Sequence, residues 1–178
     1  IEVRVLDEND LEVPANTVGE ICARGMNVMR GYWNKPELSA ETLRNGWLHT
    51  GDGGYMDEDG FLYIVDRVKD MIISGGENVY SAEVENAMHQ HEAVAECAVI
   101  GIPDETWGER VHAVVRLMEP GTVSAETLIA FCHGLIANYK CPRSIEFVEE
   151  PLPLSGAGKI LKTELRKPFW KGHDKGVN

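Results

Sequence analysis

The sequence predicts an α+β fold in which a compact domain with a small, mostly antiparallel sheet and flanking helices follows a β-rich segment. Two observations support this class. Short runs that alternate apolar and charged residues start at the first residue, which is typical of half-buried strands. After residue 66, segments with apolar residues at helical spacing lie between strongly apolar strands, and this mixture favours an α+β domain. We therefore expect two parts, residues 1–66 and 67–178.

Residues 1–66 are predicted to be mostly β. The alternation in IEVRVL and the run GEICAR indicate two strands, and an Asp-Gly turn at 59–60 indicates a hairpin. Pro36 can open a helix, and Asn45-Gly46 can end it. The predicted strands are 1–6, 19–24, 54–57 and 61–66, and the predicted helix is 36–44.

Residues 67–178 mix both element types. Ser81 and Ser124 are predicted helix caps, because a serine hydroxyl can accept a backbone N–H of the first turn. The inward helix faces are expected to carry Val84, Ala87, Met88 and His91 in the first helix, and Leu128, Phe131, Cys132, Leu135 and Ile136 in the second. The predicted strands are 71–74, 94–102, 110–118 and 144–148, and a last helix is expected near 161–167.

Charge and composition exclude several functions. The net charge of −12 argues against nucleic acid, which needs a basic surface. Residues 1–139 carry 9 basic and 24 acidic residues, whereas 140–178 carry 8 and 5, so we expect an anionic ligand to meet the C-terminal stretch. The chain has no apolar run of about 18 residues and no signal core. Because the chain starts at Ile1 rather than Met, we expect a piece of a longer protein, and the widely spaced, unpaired cysteines indicate that this protein is cytoplasmic.

The cysteines and histidines do not predict a metal site. The cysteines are widely spaced, with no CxxC pair and no histidine at zinc-ligand spacing, so we expect buried, reduced thiols. His89 and His91 point in different directions on a helix and are expected at the surface.

Three motifs carry residues suited to chemistry. Thr50-Gly51-Asp52 is expected in a loop at a strand end, where the carboxylate could accept ribose hydroxyls, although TGD is also a common turn. In the segment 66–85, DRVKDMIISGGENVYSAEVE, the pair Gly75-Gly76 permits close approach of a ligand to the backbone, or ends a strand. The third motif, PLPLSGAGKILKTELR at 151–166, contains Lys159, which in isolation would be a surface lysine.

Together these motifs resemble the adenylate-forming (AMP-binding) superfamily, in its acyl-CoA synthetase or fatty-acid–CoA ligase branch. The phrase GWLHTGDGGYMDEDGFLYIVDRVKD resembles the nucleotide segment of that branch, and 151–166 resembles its last motif, PLPxxxxGKIxxxxLR. The resemblance covers essentially the whole chain. It implies that 1–66 is the end of the large AMP-binding domain and that 67–178 is the C-terminal domain.

The resemblance also implies roles for individual residues. Lys159 would be the catalytic lysine, whose ammonium offsets the charge of two anions as a carboxylate attacks the α-phosphate of ATP. Lys69 would be the hinge about which the small domain turns between half-reactions. The ATP or AMP contacts would be Thr50, Asp52 and Arg67. The CoA contacts would be Gly75, Gly76, Trp107, Tyr139 and Arg143.

Some of these roles have alternatives in the sequence. Trp107 could pack along pantetheine or simply anchor a turn. The run YKCPR at 139–143 resembles the family segment near the CoA nucleotide, but Cys141 stands where some relatives carry a basic residue, which puts one phosphate contact in doubt.

The implied function is ATP-dependent acyl-CoA synthesis, in which a carboxylate and ATP give acyl-AMP and pyrophosphate, and CoA then displaces AMP. The implied cofactors are ATP, CoA and magnesium, whose acidic ligand would lie outside this chain. The expected partners are a small carboxylic acid and the missing N-terminal domain, and a homo-oligomer is left open. We expect the chain alone to be inactive. The alternatives are an adenylating domain that loads a carrier protein and a non-catalytic binding module.

Overall fold

The structure, a computed structural model, describes residues 1–172. It divides into two units, Ile1–Lys69 and Asp70–Asn178, each with its own sheet. Sequence analysis placed the boundary after residue 66, whereas the units divide after Lys69. Residues 173–178, part of the basic C-terminal stretch, lie outside the described residues.

The first unit is built on a four-stranded antiparallel sheet in the order β1-β2-β3-β4. Val5 and Leu6 at the end of β1 are buried, as are Ile21, Cys22 and Ala23 of β2. The elements are β1 Glu2–Leu6, β2 Gly19–Arg24, α1 Pro36–Thr42, β3 Leu48–Met56 and β4 Leu62–Arg67. The predicted β hairpin is confirmed, but its first strand starts earlier, at Leu48.

The second unit contains a five-stranded sheet in the order β6-β5-β8-β7, with β9 pairing β8 in parallel. Its strands are β5 Ile72–Ser74, β6 Glu77–Val79, β7 Val94–Asp104, β8 Gly108–Leu117 and β9 Ser144–Val148. Its helices are α2 Ser81–Met88, α3 Ala125–His133 and α4 Lys162–Arg166. The predicted α+β class with a mostly antiparallel sheet is confirmed.

This sheet separates two apolar layers. Alternate residues of β7 and β8 face α2 and α3, where Val99, Val115, Met88 and Leu128 form one cluster. The residues between them face the other way and pack with Leu152, Ile160, Leu165 and Phe169, so the last motif of the chain covers the second face. Strand alternation therefore decides which motif lies on which side.

The structure corrects three details of the prediction. Ser81 is the first residue of α2 rather than its cap, and Tyr80 occupies the cap position. Leu135, expected on the inward face of the second helix, is 45% exposed because α3 ends at His133. Strand β6 was not predicted. Ser124, by contrast, caps α3 and accepts the backbone N–H of Thr127, as predicted.

Of the helices in residues 1–172, none combines the length and the apolar composition that a membrane span requires.

Candidate functional site

In the first unit, Asp52 and Arg67 face each other across neighbouring strands. They are direct partners in the β3–β4 register, and Nε of Arg67 lies 2.9 Å from Oδ1 of Asp52. Both side chains remain open to solvent, at 36% and 48% exposure. The pair therefore presents a carboxylate and a guanidinium side by side at the end of the hairpin, where each keeps further hydrogen-bonding capacity.

Thr50 and Asp52 lie inside strand β3, which corrects the expectation that they occupy a loop. The Thr50 hydroxyl donates to the carbonyl of Ile21 at 2.7 Å and accepts the backbone N–H of Asp52 at 3.1 Å. Gly51 has a φ of +73°, and the register of β2 against β3 shifts beside it, between Glu20 and Cys22. The irregular backbone reflects this β-bulge, a feature often found next to functional sites.

A buried polar network supports the TGD segment from below, and sequence analysis missed it. Nδ1 of His49 lies 2.8 Å from the Glu20 carboxylate and 3.3 Å from Sγ of Cys22, while Glu20 also accepts the N–H of Gly51. The network could have been predicted only from the register of β2 and β3, because Cys22 and His49 are partners across these two strands.

This network contains potential metal ligands. Donor atoms of Glu20, Cys22 and His49 lie within 4.8 Å of one another. The guanidinium of Arg44, however, lies 3.6 Å from the Glu20 carboxylate, so that negative charge already has a cationic partner. Burial raises the pKa of Cys22 to about 12, so the thiol is protonated at neutral pH in this structure. The arrangement is best described as a hydrogen-bonded support for β3.

In the second unit, Gly75 and Gly76 form the two-residue turn between β5 and β6. Their φ values are +62° and +85°, and Ser74 pairs with Glu77 on either side of them. A turn with two positive φ angles is the tight hairpin turn that strongly favours glycine. The glycine pair, expected either to let a ligand approach or to end a strand, is thus a hairpin tip, and this conformation by itself accounts for both glycines.

Trp107 covers one face of this hairpin tip. A Cβ on Gly75 would come within 2.6 Å of the Trp107 ring, and the Gly75 N–H donates to the Trp107 carbonyl at 2.9 Å. The guanidinium carbon of Arg143 lies 4.1 Å from the centre of the Trp107 ring. Trp107 is therefore in contact with two other predicted site residues, Gly75 and Arg143. Trp107 also belongs to the β7–β8 turn, where its N–H donates to Asp104, so a turn-anchoring role fits as well.

Tyr139 and its neighbour Lys140 lie in a single 3₁₀ turn, Asn138–Lys140, that leads toward Arg143. Tyr139 is 41% exposed, and the Lys140 ammonium lies 5.7 Å from the centre of its ring. The Lys140 ammonium donates to both carboxylate oxygens of Glu83 at 2.7 Å, which ties this turn to α2. Cys141 is buried, and burial raises its thiol pKa. Arg143 and Tyr139 are thus the exposed polar groups of the segment.

Lys159 lies at the end of a closed loop. The loop spans Ser155 to Lys159 and is shut by an antiparallel bridge between Leu154 and Ile160. The Ser155 N–H donates to the Lys159 carbonyl at 2.7 Å, and the Ser155 hydroxyl accepts the Lys159 N–H at 3.1 Å. Lys159 itself is exposed. The backbone at Lys159 is therefore fixed while its ammonium can reach outward.

Both ends of this loop are anchored. Before the loop, the N–H of buried Leu152 donates to Glu96 at 2.9 Å. After it, the Lys162 ammonium lies 2.7 Å from Glu85, and the Arg166 guanidinium lies 3.6 Å from Asp70. Sequence analysis did not predict these contacts of Glu85, Glu96 and Lys162, because they join distant parts of the chain.

Lys69, the predicted hinge, is an exposed residue of the one-turn segment Val68–Asp70 and the last residue of the first unit. The structure thus brings together Asp52 with Arg67 in one unit, and Gly75 with Trp107 and Arg143 in the other. Lys159 is placed on a separate loop of the second unit.

Comparison with known proteins identifies one family and several relatives. Residues 83–159 match the AMP-binding enzyme C-terminal domain. A feruloyl-CoA synthase of Amycolatopsis sp. is 48% identical over 168 residues, which are 94% of this chain and 34% of that protein. A fatty acid–[acyl-carrier-protein] ligase, ScoC of Streptomyces coeruleorubidus, is 44% identical over 178 residues, all of this chain and 34% of that protein.

Among solved structures, this chain is also similar to a CoA ligase. The o-succinylbenzoate CoA synthetase of Bacillus subtilis, in complex with the acyl-adenylate intermediate, superposes with a TM-score of 0.85 at 41% identity, over 92% of this chain and 33% of the other. Another structure of that enzyme contains ATP and a magnesium ion, with a TM-score of 0.83. The chain spans about a third of the length of the relatives it matches.

Proposed function

Since the chain carries an AMP-binding enzyme C-terminal domain, we propose that it is the C-terminal part of an ATP-dependent ligase that converts a carboxylic acid into its CoA thioester. The remaining two thirds of such a ligase would supply the acid pocket and the ligand of the magnesium ion. In this proposal ATP, CoA and the acid are substrates, the protein is cytoplasmic, and the 178-residue chain alone is inactive.

The observation that carries the proposal is the placement of Lys159. Its backbone is closed into a small loop by the Ser155 hydrogen bonds, whereas its side chain is exposed. A fixed backbone with an exposed ammonium suits a residue that must bring positive charge to a reacting phosphate.

The first proposed half-reaction is adenylation. A carboxylate oxygen forms a bond to the α-phosphorus of ATP, and the bond from that phosphorus to the bridging oxygen breaks, so that pyrophosphate leaves. The reacting groups are both anionic, and the Lys159 ammonium would offset charge as it accumulates in the transition state. The Asp52 carboxylate would accept ribose hydroxyls, and Arg67 would hold Asp52 in place and face the nucleotide.

The second half-reaction is thioester formation. The CoA sulfur attacks the acyl carbon of acyl-AMP, AMP leaves with the bonding electron pair, and the thiol proton is lost. The hairpin tip at Gly75 and Gly76 would let pantetheine pass close to the backbone, beside the Trp107 ring. Arg143 and Tyr139, the exposed groups of the 139–143 segment, would meet the phosphates and the adenine of CoA.

The test uses the complete ligase that contains this chain and a panel of carboxylic acids, with pyrophosphate release as the readout. Lys159→Ala is expected to lower the rate of adenylation by about 10² to 10³. Lys171→Ala, at another exposed lysine near the C-terminal end of the described residues, is the matched control and should leave the rate unchanged. Unchanged pyrophosphate release in Lys159→Ala would contradict the proposal and favour a non-catalytic binding module.

A second candidate is a ligase that loads a carrier protein, and the 44% identity to the ScoC ligase favours it specifically. Both candidates share the first half-reaction and differ in the thiol acceptor. Release of AMP that depends on free CoA, with no carrier protein present, would support the CoA ligase. Release that requires a phosphopantetheinylated carrier would support the alternative.

A further inference from the structure

Several lysines in residues 1–172 form salt bridges, and among these Lys162 is the most buried. Its side chain is 13% exposed, its ammonium lies 2.7 Å from the Glu85 carboxylate, and it donates to the Ser81 hydroxyl at 2.6 Å. Removing charges from water is costly unless they are paired and hydrogen-bonded, and both conditions hold here. The pair is therefore a stiff connection between α4 and α2.

Glu85 connects a third element. The carboxylate oxygen that faces Lys162 also accepts the backbone N–H of Val99 at 2.7 Å. Strand β7, which contains Val99, is an edge strand of its sheet, so this N–H would otherwise be an unpaired edge group. Helices α2 and α4 lie on opposite faces of the sheet and meet past this edge. We call the group of Ser81, Glu85, Val99 N–H and Lys162 the edge clasp.

Lys162, one member of the edge clasp, lies three residues after Lys159. Between them, Ile160 packs against the core and the Leu161 N–H donates to the Pro153 carbonyl at 2.8 Å. Three residues span at most about 10 Å of extended chain, and here the intervening backbone is held. A shift of Lys162 would therefore reach Lys159. On the other side of the loop, Glu96 holds Leu152, so the edge clasp is one of two anchors.

Position matters for a residue that acts by charge. A misplacement of about 1 Å at a reacting group can cost about a hundredfold in rate. Residues that fix a catalytic side chain without touching the substrate therefore contribute to rate through geometry. Lys162 is charged like Lys159, but its ammonium is already committed to Glu85 and Ser81.

We propose that Lys162 and Glu85 are positioning residues, which hold the Lys159 loop in place for adenylation. The inference rests on the proposed function, because it assigns the two residues to the first half-reaction. Thioester formation depends on other parts of the second unit, the hairpin tip and Trp107, so loss of the edge clasp should affect the two half-reactions unequally.

The experiment measures each half-reaction in the complete ligase. Single-turnover pyrophosphate release reports adenylation, and conversion of supplied acyl-adenylate and CoA reports thioester formation. Lys162→Met is expected to lower adenylation at least tenfold through its maximal rate, with the KM for ATP and thioester formation changed less than twofold. The matched control is Lys167→Met, at the C-cap directly after the same helix, whose exposed ion pair with Glu164 lies outside the edge clasp.

A double-mutant cycle separates positioning from stability. If Lys162 acts through Lys159, then Lys162→Met has no further effect in a Lys159→Ala background, because the charge to be positioned is already absent. An equal loss in both half-reactions, an equal loss in the Lys159→Ala background, or full activity of Lys162→Met would overturn the inference.

Ser81→Ala provides a milder variant if Lys162→Met does not fold. It removes one hydrogen bond of the edge clasp and should lower adenylation about two- to fivefold, with the same dependence on Lys159. Equal loss in both half-reactions of Ser81→Ala would also overturn the inference. If the unaltered ligase adenylates no acid, the proposed function fails and this inference fails with it. An active ligase that is insensitive to the edge clasp variants overturns the inference alone.

Discussion

Arg67 Nε lies 2.9 Å from Oδ1 of Asp52, and the two residues are register partners on adjacent strands. The contact fixes both side chains at the end of the β3–β4 hairpin. Since both remain substantially exposed, the ion pair contributes little to folding, because water and salt screen exposed charges. If the pair is retained for its chemistry, its loss should affect ligand binding much more than stability.

The first prediction follows from this difference. In the complete ligase, Asp52→Ala should raise the KM for ATP at least tenfold, while the free energy of unfolding changes by less than about 1 kcal/mol. The matched control is Arg4→Ala, which breaks an exposed ion pair with Glu2 in the same sheet and should leave the KM for ATP unchanged. Initial-rate kinetics and urea denaturation provide the two measurements. An unchanged KM in Asp52→Ala would contradict a nucleotide role.

The second prediction compares the two glycines of the β5–β6 turn. Gly75 and Gly76 both have positive φ, but only at Gly75 would a Cβ meet another group, the Trp107 ring at 2.6 Å. Gly76→Ala should lower the free energy of unfolding by about 1 kcal/mol through backbone strain. Gly75→Ala should cost about 1 to 3 kcal/mol more, as expected for overpacking.

Urea denaturation of the 178-residue chain measures both costs. In a Trp107→Ala background, the cost of Gly75→Ala should fall to that of Gly76→Ala, because the clash is removed. Equal losses for the two glycine variants with Trp107 present would show that the packed indole does not constrain the hairpin tip.

Local patterns predicted most of the fold. The alternation in 1–6 and the apolar runs in 94–102 and 110–118 correspond to β1, β7 and β8, because side-chain period and burial are linked in a strand. Strand β6 was missed because Glu77–Val79 is only three residues long and two of them are exposed and polar. Its existence depends on the tight turn at Gly75 and Gly76, where the sequence indicated the end of a strand but no hairpin.

The site was predicted as separate motifs, and the contacts between them were not. Lys159 was predicted as a site residue from its motif alone, whereas the hydrogen bond from Lys162 to Ser81, 81 positions earlier in the chain, was not predicted. Such a contact depends on two helices meeting past β7, which no local pattern encodes. Likewise, Cys22 and His49 become neighbours only through the register of β2 and β3.

The third prediction concerns two leucines that the helical pattern placed on the same inward face. Leu128 is fully buried between α2 and the sheet, whereas Leu135 follows the end of α3 and is 45% exposed. Leu128→Ala should lower the free energy of unfolding by about 2 to 5 kcal/mol, because it leaves a cavity. Leu135→Ala, the matched control, should cost less than about 1 kcal/mol. Similar losses in urea denaturation would contradict the placement of the end of α3.

The last prediction concerns the pH dependence of stability and centres on His112. This side chain is buried on β8, with Nδ1 2.7 Å from the Ser144 hydroxyl and Phe169 packed against its ring. Burial lowers the pKa of His112 below its ordinary value of 6.5, and Arg110 acts in the same direction. The Glu146 carboxylate, 3.8 Å from Nε2, opposes this shift only in part. His112 is therefore neutral in the folded protein near pH 7.

The lowered pKa fixes the sign of the effect. As pH falls through about 6.5, the unfolded chain binds a proton at this histidine before the folded chain does, so stability decreases toward lower pH. One such group contributes a slope of at most about 1.4 kcal/mol per pH unit. Urea denaturation at pH 7.5, 6.5 and 5.5 should show a shallower decline for His112→Gln than for the unaltered chain. His89→Gln, at an exposed site on another element, is the control and should leave the decline unchanged. If His112→Gln keeps the full decline, the loss of stability in acid arises from other groups, and burial of His112 does not govern it.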